Sequence, residues 1–119
     1  MKKPTIFIDI DGTILEHRNN EDEIKNLPEQ NPTPDAVAKF NEWYNNGYYI
    51  VVISARPDTA GMWLITKNQL EKWGFKHHRI MLGITSGVRY MINDEKPTVE
   101  STAIGITVQR NKGLGDLDI

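Results

Sequence analysis

The chain has 119 residues, the length of one ordinary domain and too short for two independent cores. A hydrophobic share of 39% and a charged share of 25% place it with soluble globular proteins, and the longest apolar run, residues 48–53, falls far short of the roughly 20 residues that a bilayer-crossing helix needs. A net charge of −2 excludes a broadly basic nucleic-acid-binding surface, and zero cysteines exclude disulfides, thiolate nucleophiles and Cys-ligated metal sites. Met1-Lys2-Lys3-Pro4 runs straight into strand-like sequence with no signal-peptide pattern, so the expected location is cytoplasmic and no membrane contact is expected.

In chain order, Thr5-Ile6-Phe7-Ile8-Asp9-Ile10 is β-branched and aromatic and is closed by Asp11-Gly12-Thr13, which predicts a buried first strand. Residues 16–33 are acidic and Asn-rich, with Ile24 and Leu27 as the evident apolar anchors. They read as a surface flap too short to be a cap domain. Thr33-Pro34-Asp35-Ala36 carries a capping residue, a proline for the first helical position and a first-turn acid. Val37, Phe40, Trp43 and Tyr44 then form one apolar face, and Asn45-Asn46-Gly47 stops the helix. Tyr48-Tyr49-Ile50-Val51-Val52-Ile53 predicts a strand of a parallel sheet, ended by Ser54-Ala55-Arg56-Pro57.

A second helix is expected over about 58–73 with Gly74 past its end, and its faces carry Met62, Ile65, Gln69 and Trp73 or Trp63 and Leu70. Arg79-Ile80-Met81-Leu82, Tyr90-Met91-Ile92-Asn93 and residues 103–108 fit three further strands. The alternation predicts a single-domain α/β fold: a Rossmann-like, doubly wound, mainly parallel sheet of about five strands over residues 1–112, with helices on both faces. Residues 113–119, Gly- and Asp-rich, are expected to form a loose tail.

In open α/β sheets ligands bind beyond the carboxyl ends of the strands. Those ends deliver Asp9 and Asp11, then Ser54 and Arg56, then Asn93, Asp94 and Glu95. Period-two alternation aims Asp9 and Asp11 to one side. Two such carboxylates repel unless a proton or a cation joins them, which points to a hard, oxygen-ligated divalent ion such as Mg²⁺, with Asp94 as the third oxygen donor. Asp9 can then attack a phosphoryl group, and Asp11 can protonate the leaving oxygen and later deprotonate water. Gly12 permits the turn out of the strand, with backbone N–H groups around Gly12 and Thr13 free to hold phosphate oxygens. Ser54 is short enough to bond one without crowding it.

Asp9-Ile10-Asp11-Gly12-Thr13 after an apolar strand, Ser54 after a second and Asp94 after a later one resemble motifs I, II and IV of the haloacid dehalogenase (HAD) superfamily over nearly the whole chain. Its members are mostly Mg²⁺-dependent phosphatases. The size and lack of a cap insertion are similar to the small capless members, including capsule-polysaccharide-locus phosphatases and the 3′-phosphatase domains of polynucleotide kinases. The latter carry Ser-Gly-Arg where this chain has Ser54-Ala55-Arg56. The resemblance implies Asp9 as nucleophile, Asp11 as acid/base, and a metal held by the Asp9 side chain, the Asp11 carbonyl and Asp94.

The family's motif III supplies a Lys or Arg bridging nucleophile and phosphate, and its expected place reads Gly83-Ile84-Thr85-Ser86-Gly87 without one. Lys96 leaves the carboxyl end of the expected fourth strand and is the first choice for that role. Arg89 is the second, because a strand starting there would set it about 16 Å from Asp94 at roughly 3.3 Å per residue. Arg56 and Arg110 are further candidates for gripping substrate.

Plainer readings exist for each feature. Asp-rich turns follow strands without function, Arg56 can serve a surface ion pair, and Arg110-Asn111 can be a polar start to the tail. A calcium loop is excluded, since aligning Asp9 and Asp11 to its third and fifth positions puts Phe7 at its first and Arg18 at its acidic twelfth. His77-His78 read as a solvated pair, and the three tryptophans as core.

The expected function is a capless Mg²⁺-dependent phosphomonoesterase with an aspartyl-phosphate intermediate, acting on a sugar phosphate or other small phosphorylated metabolite. A nucleotide or nucleic-acid-end 3′-phosphatase is the alternative, and the acidic charge and flap weigh against nucleic acid. A receiver-like phosphoacceptor and a non-catalytic phosphate- or Mg²⁺-binding module are the rivals. The position of Asp9 after the first strand argues against the former; the missing motif III cation supports the latter.

Overall fold

A computed structural model describes residues 2–17, 29–99, 101–115 and 117–119. Most of the expected flap lies outside the described residues. Three strands and two helices alternate as β1 (Thr5–Asp9), α1 (Ala36–Asn45), β2 (Tyr49–Ile53), α2 (Ala60–Trp73) and β3 (Arg79–Met81). The strands are all parallel in the order β1-β2-β3. No helix among the described residues is long and apolar enough to cross a membrane.

The register Ile6↔Ile50, Ile8↔Val52 and Val52↔Ile80 lines up side chains of one parity on one face of the sheet. Ile8, Ile10, Ile50 and Val52 from that face share a core with Ala36, Phe40 and Trp43 of α1 and Leu70 of α2. Both helices therefore pack on the same face, as two crossovers of one hand stepping the same way across the sheet demand. Helices on both faces were expected. The opposite face is instead partly open, with Phe7 47% and Met81 45% exposed.

Two expected strands are absent. Residues 90–93 and 103–108 are not strands, so the sheet has three strands among the described residues rather than about five, and no strand extends it beyond β1 to reverse its winding. Their apolar, β-branched composition was read correctly, but a strand also needs a neighbouring edge, which composition does not supply.

α1 buries Ala36, Phe40 and Trp43, one stripe at i, i+4 and i+7, with the Phe75 ring packed edge-on against Phe40 at 5.2 Å. Its start lies later than the capping signals indicated. The Thr33 hydroxyl donates to the Thr13 carbonyl (2.8 Å) and its N–H to the Ile14 carbonyl (2.9 Å), so it closes the loop after β1 instead of capping, and Asp35 adopts a left-handed turn at φ 60°. α2 follows its signals more closely. The Thr59 hydroxyl accepts from Met62 N–H at 3.1 Å, and Gly74, at φ 83°, ends the helix. Trp43 is core, whereas Trp63 is exposed and Trp73 donates its indole N–H to the Gln30 carbonyl at 3.0 Å. His78 is more than a solvated residue: its Nδ1 accepts from Ile50 N–H at 3.0 Å and its ring stacks between Tyr44 and Tyr49.

The C-terminal segment is not a loose tail. Leu114 is buried in the main core, Leu117 packs against it, and Leu114 N–H donates to the Pro34 carbonyl at 3.2 Å. Gly113 sits at φ +86°, where a Cβ would stand 2.1 Å from the Pro34 carbonyl oxygen. Gly113→Ala is therefore expected to destabilise the fold by about 2–4 kcal/mol, through strain at positive φ and the undocking of Leu114. Urea unfolding measures it, and a loss under about 0.5 kcal/mol would show the docking to be unimportant.

Candidate functional site

The parallel pairing Asp9↔Ile53 sets the carboxyl ends of β1 and β2 level, so Asp9, Asp11, Ser54 and Arg56 emerge at one edge of the sheet. The loop after β1 winds tightly, with Thr13, Ile14 and Leu15 N–H groups all donating to the Ile10 carbonyl, and Gly12 turns at φ 91°. The N–H groups of Gly12 and Thr13, expected to face a phosphate, donate to Leu15 and Ile10 carbonyls at 2.7 and 3.0 Å.

Arg56 is buried at the centre of a polar network. Its Nε and one terminal nitrogen fork onto the Asp11 carboxylate at 3.0 and 2.9 Å. The same terminal nitrogen also reaches Gln30 Oε1 (3.2 Å), and the other donates to Thr66 Oγ1 and Gln69 Oε1, both at 3.0 Å. A guanidinium has five N–H donors, and all five are engaged within the protein. Arg56 thus orients Asp11, and a substrate contact by Arg56 would require breaking one of these bonds. Its backbone N–H also donates to the Ser54 hydroxyl at 3.0 Å, which leaves that hydroxyl's proton to give.

Gln30 carried no signal in the sequence. It is fully buried, donates to Asp11 Oδ1 (3.0 Å) and to the Glu16 carbonyl (2.6 Å), and accepts from Arg56 and Gln69. Glutamines in polar stretches are common, and only the approach of residue 30 to the β1 loop gives this one a place. That approach is secured by Glu16 N–H to the Asn31 carbonyl and Thr33 N–H to the Ile14 carbonyl, both 2.9 Å.

The two acids have opposite environments. Burial pushes the Asp9 carboxyl above its ordinary value, with the Asp11 charge adding to it and Arg89 pulling the other way. Burial also acts to raise Asp11, but the hydrogen bonds and charge of Arg56, with Gln30, outweigh it and hold Asp11 below the ordinary value. The Thr13 hydroxyl lies 3.4 Å from Asp9 Oδ2.

Arg89, the second choice for the missing cation, is the residue that reaches the site: its guanidinium lies 3.3 Å from Asp9 Oδ1. A strand starting at residue 89 would set it far from Asp94, but none forms there. Lys96 instead pairs with Asp94 on an exposed segment. Arg110 lays its side chain across Gly12, whose ideal Cβ position is 3.2 Å from Arg110 Cγ. Asn111 clamps the loop, its N–H donating to the Gly12 carbonyl (2.8 Å) and its side chain bonding both backbone groups of His17.

The three-acid set for a metal is not assembled. Asp94 is exposed and engaged with Lys96, and among the described residues no three His, Asp or Glu side chains converge on one point. Asp9 and Asp11 are together; Asp94 is apart from them.

No protein-family model and no curated protein sequence matches the chain. Solved structures do share its fold. An MCSG target from Vibrio cholerae is similar with a TM-score of 0.58 and 19% identity over 77% of this chain and 80% of that one. A chain of the Pnkp1/Rnl/Hen1 complex is similar with a TM-score of 0.58 and 15% identity over 73% of this chain, which spans 30% of the length of that one.

The Asp11–Arg56 fork gives the acid limb of stability a defined sign. Because Asp11 is depressed when folded, its stabilisation is complete above the unfolded value of 3.8 and is lost as pH falls through the lower folded value. Asp11→Asn is expected to lower stability at pH 6 and to shrink its fall between pH 5 and 2 in urea unfolding. An acid limb as steep as that of the unsubstituted chain would remove Asp11 as its source. Arg56→Ala, which removes the charge partner of the part-buried Asp11 carboxylate and one hydrogen bond from each of Gln30, Thr66 and Gln69, is expected to cost about 3–5 kcal/mol.

Proposed function

We propose that the chain is a phosphomonoester hydrolase in which Asp9 is the nucleophile, acting on a sugar phosphate or another small phosphorylated metabolite. The observation that carries this reading is the pairing of two carboxylates two residues apart at the end of β1, one with raised and one with lowered proton affinity. In the first step an Asp9 oxygen forms a bond to phosphorus as the ester P–O bond breaks. In the second, water attacks phosphorus, the Asp9–phosphorus link breaks, and phosphate leaves.

Asp11, fixed by Arg56 and Gln30, is the group placed to move protons: onto the leaving oxygen, and off the attacking water. In the free chain it is held ionised. A phosphate dianion beside it opposes that charge and raises its proton affinity, the direction that an acid for the leaving oxygen requires. Ser54, Arg89 and Arg110 would bind phosphate beside the Gly12-Thr13 turn, whose own N–H groups are taken up by the Leu15 and Ile10 carbonyls. Arg89 in place of Lys96 would fill the bridging role, moving from Asp9 to share a phosphate oxygen.

Asp9 and Asp11 would hold Mg²⁺, which would neutralise charge shared with phosphate, and Asp94 would have to leave Lys96 to join them. That separation of Asp94 favours a second reading, a module that binds phosphate without turning it over.

Phosphate release from an aryl phosphate and from a panel of sugar and nucleotide phosphates, with Mg²⁺ and with chelator, tests the proposal. Mg²⁺-dependent release is expected, with Asp9→Asn reducing it by at least about 10³-fold. The same substitution is expected to raise the melting temperature by a few degrees, because it removes a charge whose burial is unfavourable. Phosphate binding without release from any compound would establish the non-catalytic reading. Full activity in Asp9→Asn would remove Asp9 as nucleophile.

A further inference from the structure

Residues 85–99 and 101–108 lie on an arm whose two roots are both fixed beside the β1 loop. Ile84 N–H donates to the Ser54 carbonyl at 3.0 Å and Arg89 pairs with Asp9 on one side. Asn111 N–H bonds the Gly12 carbonyl on the other. Between these roots the two legs are held near the tip by Asn93 and Thr102 side-chain bonds to the Thr102 and Asp94 carbonyls.

Half of the large apolar side chains that stand exposed among the described residues lie on this arm, including Tyr90 at 86%, Ile92 at 91% and Ile104 at 73%. Taking roughly 150–220 Å² per side chain, they present on the order of 800 Å² of apolar surface along the arm. That is also the area that one partner contributes to an interface of standard size. The backbone is sparsely paired. The single backbone-to-backbone hydrogen bond described within the arm joins Val99 N–H to the Lys96 carbonyl, and side chains take the Thr85, Asp94, Thr102 and Ala103 carbonyls and the Asp94 N–H, which leaves residues 88–92 and 104–106 to offer N–H and C=O groups to a further strand.

We infer that the arm is a dimer interface, in which the arm of one copy pairs with the arm of a second copy across a two-fold axis. Two identical strand-forming segments related by a two-fold axis perpendicular to them run antiparallel, so each finds its complement in its copy. The arm's charges are nearly balanced, with Arg89 and Lys96 against Asp94, Glu95 and Glu100. A second arm is therefore not repelled, and nothing selects a strongly charged partner. Pairing would bury Tyr90, Ile92 and Ile104 and supply the neighbouring edge that residues 90–93 and 103–108 lack in the single chain. The inference does not depend on the proposed catalysis.

Sedimentation velocity on the full chain tests it without any activity. The unsubstituted chain is expected at twice the chain mass by about 10 μM, since interfaces of this area bind in the micromolar range or tighter. Tyr90→Asp and Ile92→Asp, at side chains open to solvent in the single chain, should each weaken association at least about tenfold while leaving the far-UV circular dichroism unchanged. Concentration-dependent protection of amides 88–93 and 103–108 from hydrogen exchange provides a readout that needs no variant. A chain that stays monomeric to about 100 μM, as when the arm closes on its own β1 edge or awaits a different protein, would overturn the inference. So would a dimer whose dissociation is the same in both variants and whose arm amides are unprotected.

Discussion

A buried guanidinium organises this molecule. A charge out of contact with water is tolerated only when its donors are matched, and Arg56 finds four partner residues on three separate pieces of chain: Asp11 after β1, Gln30 at the return to α1, and Thr66 and Gln69 on α2. Its own position follows from β2. The parallel register with β1 brings the carboxyl ends level, so a residue shortly past Ile53 meets a residue shortly past Asp9. Thr66 and Gln69 are buried polar residues on a helix face that would otherwise be apolar, and Arg56 explains both.

The same requirement divides the two site acids. Asp11, forked by Arg56 and bonded by Gln30, is held ionised, while Asp9 keeps one side toward Arg89 and bears the unfavourable part of burial. Carboxylates two residues apart thus differ in proton affinity through their surroundings alone, the circumstance in which a pair of acids takes two roles. A structural necessity, the matching of Arg56, thereby sets a chemical property. Asn111 and Arg110 add a second clamp on the loop that carries both acids, from a point nearly a hundred residues along the chain.

Legibility in the sequence followed the range of the forces. The β1 and β2 strands and the α2 helix were readable because apolar runs and the Gly74 stop act within a few residues, and the structure adds the Thr59 cap. The start of α1 moved because Thr33, a good capping residue, was drawn to the Thr13 and Ile14 carbonyls, a contact that local propensity does not register. The arm shows the limit most plainly. Val88, Tyr90, Met91 and Ile92 have the composition of a strand, yet a strand is a relation between two pieces of backbone, and the single chain offers residues 90–93 no paired neighbour.

By itself the sequence determined the alternation of elements, the presence of two carboxylates at the end of the first strand, and a hydroxyl and an arginine at the end of the second. Each of these depends on side-chain type and short spacing. Tertiary structure alone decided which of them meet. It turned Arg56 inward to Asp11, brought Gln30 under the loop, chose Arg89 over Lys96 as the neighbour of Asp9, and left Asp94 on the arm with Lys96. These pairings depend on chain reversals and on the direction of each crossover, which are set by the burial of whole faces and by the satisfaction of buried charge, not by any property of the residues taken in order.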